Sequence, residues 1–145
     1  MPHNEPAREL IHQIIKSRMA FRQTLQRVLK SNNIDMTFEM LQIMSSLWSA
    51  QGVSQQYLAE KTAKDKACLT NLINNLEKKG WVVRKEDPAD RRNRLVFLTP
   101  LGEKISEEVK PLIKEVYVKV GKQMGEDTSK CVRLLQQLDE ALNNI

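Results

Sequence analysis

Asp87-Pro88-Ala89-Asp90-Arg91-Arg92-Asn93-Arg94-Leu95-Val96-Phe97-Leu98-Thr99-Pro100-Leu101-Gly102 is the stretch whose reading decides the fold. Its first half is a polar turn carrying three arginines. Its second half alternates into a short strand, and Thr99-Pro100 then starts a helix. Directly before it, Trp81-Val82-Val83-Arg84-Lys85-Glu86 reads as another short strand. Two short strands joined by a basic tip make a hairpin that can reach along a polyanion.

Upstream of the hairpin, Ser54 caps a short helix that carries Tyr57, Leu58 and Ala59 and ends near Thr62. Ala63-Lys64-Asp65 makes a turn, and a longer helix follows from about Lys66 to Lys79, ended by Gly80 as its C′ residue. Short helix, tight turn and longer helix form a helix-turn-helix, which the hairpin converts into a winged helix. Before this unit, Thr37 caps a helix bearing Phe38, Leu41, Met44, Leu47 and Trp48, which Gln51-Gly52 stops.

Long helices flank the unit. From about Glu5 to Lys30, Leu10, Ile14, Phe21, Leu25, Val28 and Leu29 recur at helical spacing. After Thr99-Pro100, Ile105, Val109, Leu112, Val116 and Val120 do the same, with a kink or a break expected at Pro111. A last helix from about Thr128 carries Val132, Leu135, Leu138 and Leu142. These ends hold more apolar surface than one small core can cover, which predicts a symmetric dimer. The fold class is therefore mainly α (α+β), a winged helix-turn-helix with long N- and C-terminal dimerisation helices. Residues 1–145 form a single domain, with the core in 36–103 and the dimerisation helices in 1–35 and 104–145.

The charge distribution points to an acidic partner. The net charge is +5. From Thr62 to Arg94 nine basic residues face five acidic ones, whereas from Leu95 to Ile145 seven face eight. Positive charge thus gathers on the longer helix and the hairpin, as phosphate binding requires. No apolar run is long enough to span a bilayer, and the start lacks a signal-peptide core. Together with only two cysteines, this predicts a reducing cytoplasm and no membrane partner. Cys68 and Cys131 are read as small packed side chains. With two histidines and no Cys/His cluster, neither a metal nor another cofactor is expected. The absence of a Ser/His/Asp or Cys/His set and of a glycine-rich phosphate loop excludes an enzyme.

On the helix from Lys66, residues advance by about 100° each. Leu69, Leu72, Ile73 and Leu76 share the core face. Ala67, Asn71, Asn74 and Lys78 lie nearly opposite, flanked by Thr70 and Asn75. Asn can bond adenine N6 and N7 together, and the Thr methyl can pack on thymine. The candidate DNA-reading set on this helix is Lys66, Ala67, Thr70, Asn71, Asn74 and Lys78. On the hairpin, Arg91, Arg92 and Arg94 are candidates for phosphates or a narrow minor groove. Asp90 orients the tip by accepting backbone or arginine donors.

These residues carry a resemblance. Asp90-Arg91-Arg92 followed by Leu98-Thr99 and Gly102, the run Leu76-Glu77-Lys78-Lys79-Gly80-Trp81-Val82-Val83-Arg84, and Leu58-Ala59 together resemble the multiple antibiotic resistance regulator (MarR) family of bacterial transcription factors. The likeness extends over essentially the whole chain. It implies a homodimer joined through its terminal helices, a recognition helix in the major groove of double-stranded DNA, and a wing arginine in the minor groove, for which Arg92 is the best match. Members often carry arginine in mid-helix where this chain has Asn71 and Asn75, which suggests an A·T preference. The likeness also implies a homodimeric repressor of a pseudo-palindromic operator, released by a small phenolic or lipophilic effector. His12, Met19, Met40, Met44 and Trp48 are the candidates for that cleft, since methionine packs adaptably. The competing reading is a winged-helix module that binds protein and does not read DNA.

Overall fold

The structure is a computed structural model and describes residues 3–145. Among the described residues nine elements follow one another: α1 (Asn4–Ser31), α2 (Phe38–Ser49), β1 (Val53–Ser54), α3 (Gln55–Thr62), α4 (Lys66–Lys78), β2 (Val82–Asp87), β3 (Asp90–Leu98), α5 (Pro100–Met124) and α6 (Asp127–Asn143). This is a winged helix-turn-helix. Its helices start where the sequence supplies caps. Thr37, Ser54 and Asp65 accept the backbone N–H of Met40, Tyr57 and Cys68, satisfying donors that have no intrahelical partner. Gly80 sits at φ +76 after α4, a left-handed conformation that costs a glycine little.

The sheet is antiparallel with order β1-β3-β2. Its two-residue strand β1 pairs Val53 with Val96 and Ser54 with Leu95. A strand so short has no alternation to read, and Val53-Ser54 reads in sequence only as the start of a helix. The hairpin corrects a second expectation. Arg91, Arg92 and Arg94 lie on β3, not in a turn. Opposite charges oppose each other at Glu86 and Arg94, and Asp87 pairs with Asp90 across a bulge between Glu86 and Asp87. The connection therefore shrinks to Pro88-Ala89.

Two compact units divide the chain, Met1–Lys110 and Pro111–Ile145. In the first, Leu41, Ile43, Met44 and Leu47 of α2, Leu58 of α3, Leu69, Ile73 and Leu76 of α4, and Val82 and Val96 of the sheet are buried together with Leu25 and Leu29 of α1. The N-terminal half of α1 leaves Leu10, Ile11, Ile15 and Met19 exposed. The second unit is a helical pair whose α6 buries no residue and exposes Val132, Leu134, Leu135 and Leu142. The break considered at Pro111 does not occur. α5 runs through it, although the missing N–H leaves the Glu107 carbonyl without its helical donor. Both cysteines are exposed, against the expectation that they pack. Cys68 falls on the solvent side of α4, one residue before buried Leu69.

The first turn of α5 is bolted to the start of β2. Thr99 donates its N–H to the Trp81 carbonyl at 3.0 Å and its hydroxyl to the Gly80 carbonyl, and its Oγ1 accepts the Gly102 N–H. A Cβ on Gly102 would stand 1.9 Å from the Trp81 oxygen, so only glycine permits this approach.

Candidate nucleic-acid interface

The exposed face of α4 is set by its buried one. Leu69, Ile73 and Leu76 are buried, so the opposite residues Ala67, Asn71 and Lys78 face solvent, and Lys66 is exposed at the first position of the helix. Thr70 and Asn74 are half-buried and bonded within the protein. Thr70 Oγ1 donates to the Lys66 carbonyl and accepts from Gln55 Nε2. Asn74 Oδ1 accepts from Arg84 Nη2. Arginine has no acceptor, so Asn74 must turn its oxygen towards it and its NH2 away. A bidentate contact with adenine needs both groups, and Asn71 is the asparagine of the pair that keeps both available for it.

The wing presents the arginines differently. Arg92 is 96% exposed, and its Nε lies 3.8 Å from Asp90 Oδ1. Asp90 Oδ1 also accepts the backbone N–H of Arg92 at 3.1 Å. Asp87 Oδ1 accepts the Ala89 N–H at 2.9 Å and its Oδ2 takes the Asn93 amide at 3.5 Å. Both aspartates therefore shape the tip, and Asp-Pro-Ala is the local Asx-turn signal for the role of Asp87. Arg92 and Arg94, two apart on β3, share a strand face, and exposed Arg91 lies on the other.

Helix and wing enclose a groove of about 540 Å³, lined by Gln55, Gln56, Ala59, Lys66, Leu69, Arg92, Asn93 and Arg94. Three cations border it and no carboxylate does. Such a groove attracts a polyanion, and its amides and cations suit phosphate oxygens.

The residues named for an effector cleft are spread out. His12 borders a shallow groove on α1 with Glu9, Leu10 and Lys16. Met19 is exposed on α1. Met40 and Met44 are buried under α2, and Trp48, one turn further along the same face, is half-buried. The Trp48 indole N–H donates to Ser106 Oγ at 2.7 Å, and Lys110 Nζ lies 5.4 Å from its ring centroid. These three residues border a groove of about 390 Å³ between α2 and α5. No His/Cys/Asp/Glu cluster that could hold a metal occurs among the described residues, and no described helix is long and apolar enough to cross a membrane.

Known proteins give this geometry a context. The sequence profile of the MarR family matches residues 37–93. The chain is 32% identical over 108 residues to the transcriptional regulator HosA of Escherichia coli O111:H-, covering 74% of this chain and 80% of the relative. A solved structure of a mutant MarR from E. coli complexed with operator DNA aligns over 92% of this chain and 94% of its own, with a TM-score of 0.78 at 26% identity. A structure of NadR in complex with 4-hydroxyphenylacetate aligns over 87% of this chain and 89% of its own, with a TM-score of 0.73 at 28% identity.

Proposed function

The chain belongs to the MarR family of transcriptional regulators, and from that premise we propose that it is a homodimeric repressor that binds a pseudo-palindromic DNA operator and releases it on binding a small aromatic or lipophilic effector. The observation that carries the DNA reading is the acid-free groove bordered by Lys66, Arg92 and Arg94 beside the exposed face of α4. In this reading Lys66, Ala67, Asn71 and Lys78 enter the major groove, with Thr70 and Asn74 at its edge. Arg92 reaches the minor groove, Arg91 and Arg94 neutralise phosphates, and Asp90 holds the tip. Two such units on a two-fold axis would read half-sites about one helical turn apart, and repression follows by occlusion.

The dimer reading rests on the exposed apolar residues of α1 and α6, which a single chain leaves in water. The effector reading rests on the aromatic acid bound by NadR and on the groove beside Trp48. Trp48 supplies an aromatic face, and Lys104 and Lys110 supply cations beside Glu103 and Glu107, with Lys110 paired to Glu107 at 3.3 Å. His12, Met19, Met40 and Met44 do not border this groove and are left out of this reading.

A salt titration tests the central part. Binding to duplexes should weaken steeply between about 50 and 200 mM salt, because several phosphates release counterions. A flat salt response, or no binding to any duplex, favours a protein-binding module in place of this reading.

A further inference from the structure

Arg84 stands in the middle of β2, and its side chain is only 17% exposed. A cation in so dry a place needs partners, and both of its terminal nitrogens have them, while the buried Nε has none. Nη1 donates to Gln55 Oε1 of α3 at 3.1 Å. Nη2 donates to Glu77 Oε1 at 2.5 Å and to Asn74 Oδ1, both on α4. Gln55 in turn donates to Thr70 Oγ1 at 3.5 Å. One side chain on the wing strand thus ties down both helices of the helix-turn-helix. Thr70, Asn74 and Glu77 form one flank of α4, at spacings of four and three residues.

We propose that Arg84 is a positioning residue for DNA reading. It sets the roll and tilt of α4 against α3 and the wing through Gln55, Asn74 and Glu77, and it does not itself neutralise a phosphate. The proposal rests on the DNA-binding reading given above. Its physical basis is that base-edge hydrogen bonds tolerate little misplacement, whereas phosphate attraction is long-ranged and forgiving. Loosening the clamp should therefore cost sequence discrimination and leave non-specific binding almost intact.

The test uses the full-length protein with two probes: a duplex selected by the wild type from a random pool, and a scrambled duplex of the same composition. The variants are Arg84→Met, Arg84→Lys and Glu77→Gln, each measured across a salt series. The proposal predicts that both Arg84 variants lose about tenfold or more on the selected duplex, change less than about twofold on the scrambled one, and keep the wild-type salt slope. Lysine should not rescue, because its point charge cannot span three acceptors. Glu77→Gln separates the mechanisms by sign. Removing a carboxylate near DNA should tighten binding if electrostatics alone act, and should weaken the selected duplex if the clamp matters.

Equal losses on both duplexes with a salt slope reduced by about one, restored by lysine, would make Arg84 a phosphate contact and overturn the proposal. Unchanged or tighter binding by Glu77→Gln would overturn it as well, and that variant decides the matter should Arg84→Met not fold. If the wild type selects no duplex, the DNA-binding reading itself fails and the proposal goes with it. Loss of discrimination in the variants alone touches only Arg84.

Discussion

Arg92 holds its guanidinium almost fully in water, and its 3.8 Å approach to Asp90 is an ion pair of the kind that contributes little when exposed. The cation is therefore at hand for a nucleic acid, and Arg92→Ala should weaken duplex binding about tenfold and lower the salt slope by about one. Fluorescence anisotropy over a salt series would read both, and an unchanged slope would remove Arg92 from the contacts. Asn71 makes a different kind of contact in this account. Asn71→Ala should relax the preference for A·T at one position per half-site and leave the salt slope alone. Unaltered base preference after re-selection would show that Asn71 reads nothing. Glu39 ties α2 to α1 through Arg22 at 2.5 Å. Burial pushes its carboxyl up, but the Arg22 hydrogen bond, a backbone N–H and the charges of Arg22 and Lys64 outweigh that and hold it below its ordinary 4.5. A lowered folded value means that the pair stabilises above the ordinary carboxylate range and that this stability is lost as pH falls through the folded value. Glu39→Gln should accordingly cost about 0.5 kcal/mol in urea unfolding at pH 7 and nearly nothing in acid. A pH-independent difference would rule the ion pair out as its source.

At the scale of elements, the junction between β2 and α5 is tightly constrained. With a Cβ 1.9 Å from the Trp81 carbonyl oxygen, Gly102→Ala must push α5 away from the wing. A destabilisation on the order of 3 kcal/mol is expected, against about 1–2 kcal/mol for Thr99→Ala, which removes the cap and the hydroxyl's bond to the Gly80 carbonyl. Thermal unfolding of the two variants would rank them, and a harmless Gly102→Ala would mean that the junction can relax. The same junction shows what a sequence can and cannot disclose. Thr99-Pro100, Thr37 and Ser54 are legible because a cap bonds a residue three positions away. The hydrophobic face of α4 is legible because helical spacing is local. β1 is not, since two residues have no period and exist as a strand only through Val96 and Leu95. The three arginines look like a turn until the pairing of Glu86 with Arg94 extends β3 towards the tip. Asn74 and Thr70 look like free readers of bases until Arg84 and Gln55, 10 and 15 residues away, are folded against them. What escapes is in each case a bond between residues far apart in the chain.

For the whole molecule, the decisive observation is apolar surface with nothing over it. Leu10, Ile11 and Ile15 in one unit and Leu134, Leu135 and Leu142 in the other are exposed side chains at helical spacing. Two copies covering these faces would bury them and hold two α4 helices at a fixed separation. Leu10→Glu combined with Leu135→Glu should shift the sedimenting species to the monomer and abolish binding to a two-half-site operator. A dimer that survives both charges would place the interface elsewhere. The most direct measurement for the account as a whole is selection of bound duplexes from a random pool by the wild-type chain. The account predicts an enriched inverted repeat, A·T-rich where Asn71 reads, with half-sites about one helical turn apart. Enrichment of a single unrepeated site, or of no sequence at all, would contradict it.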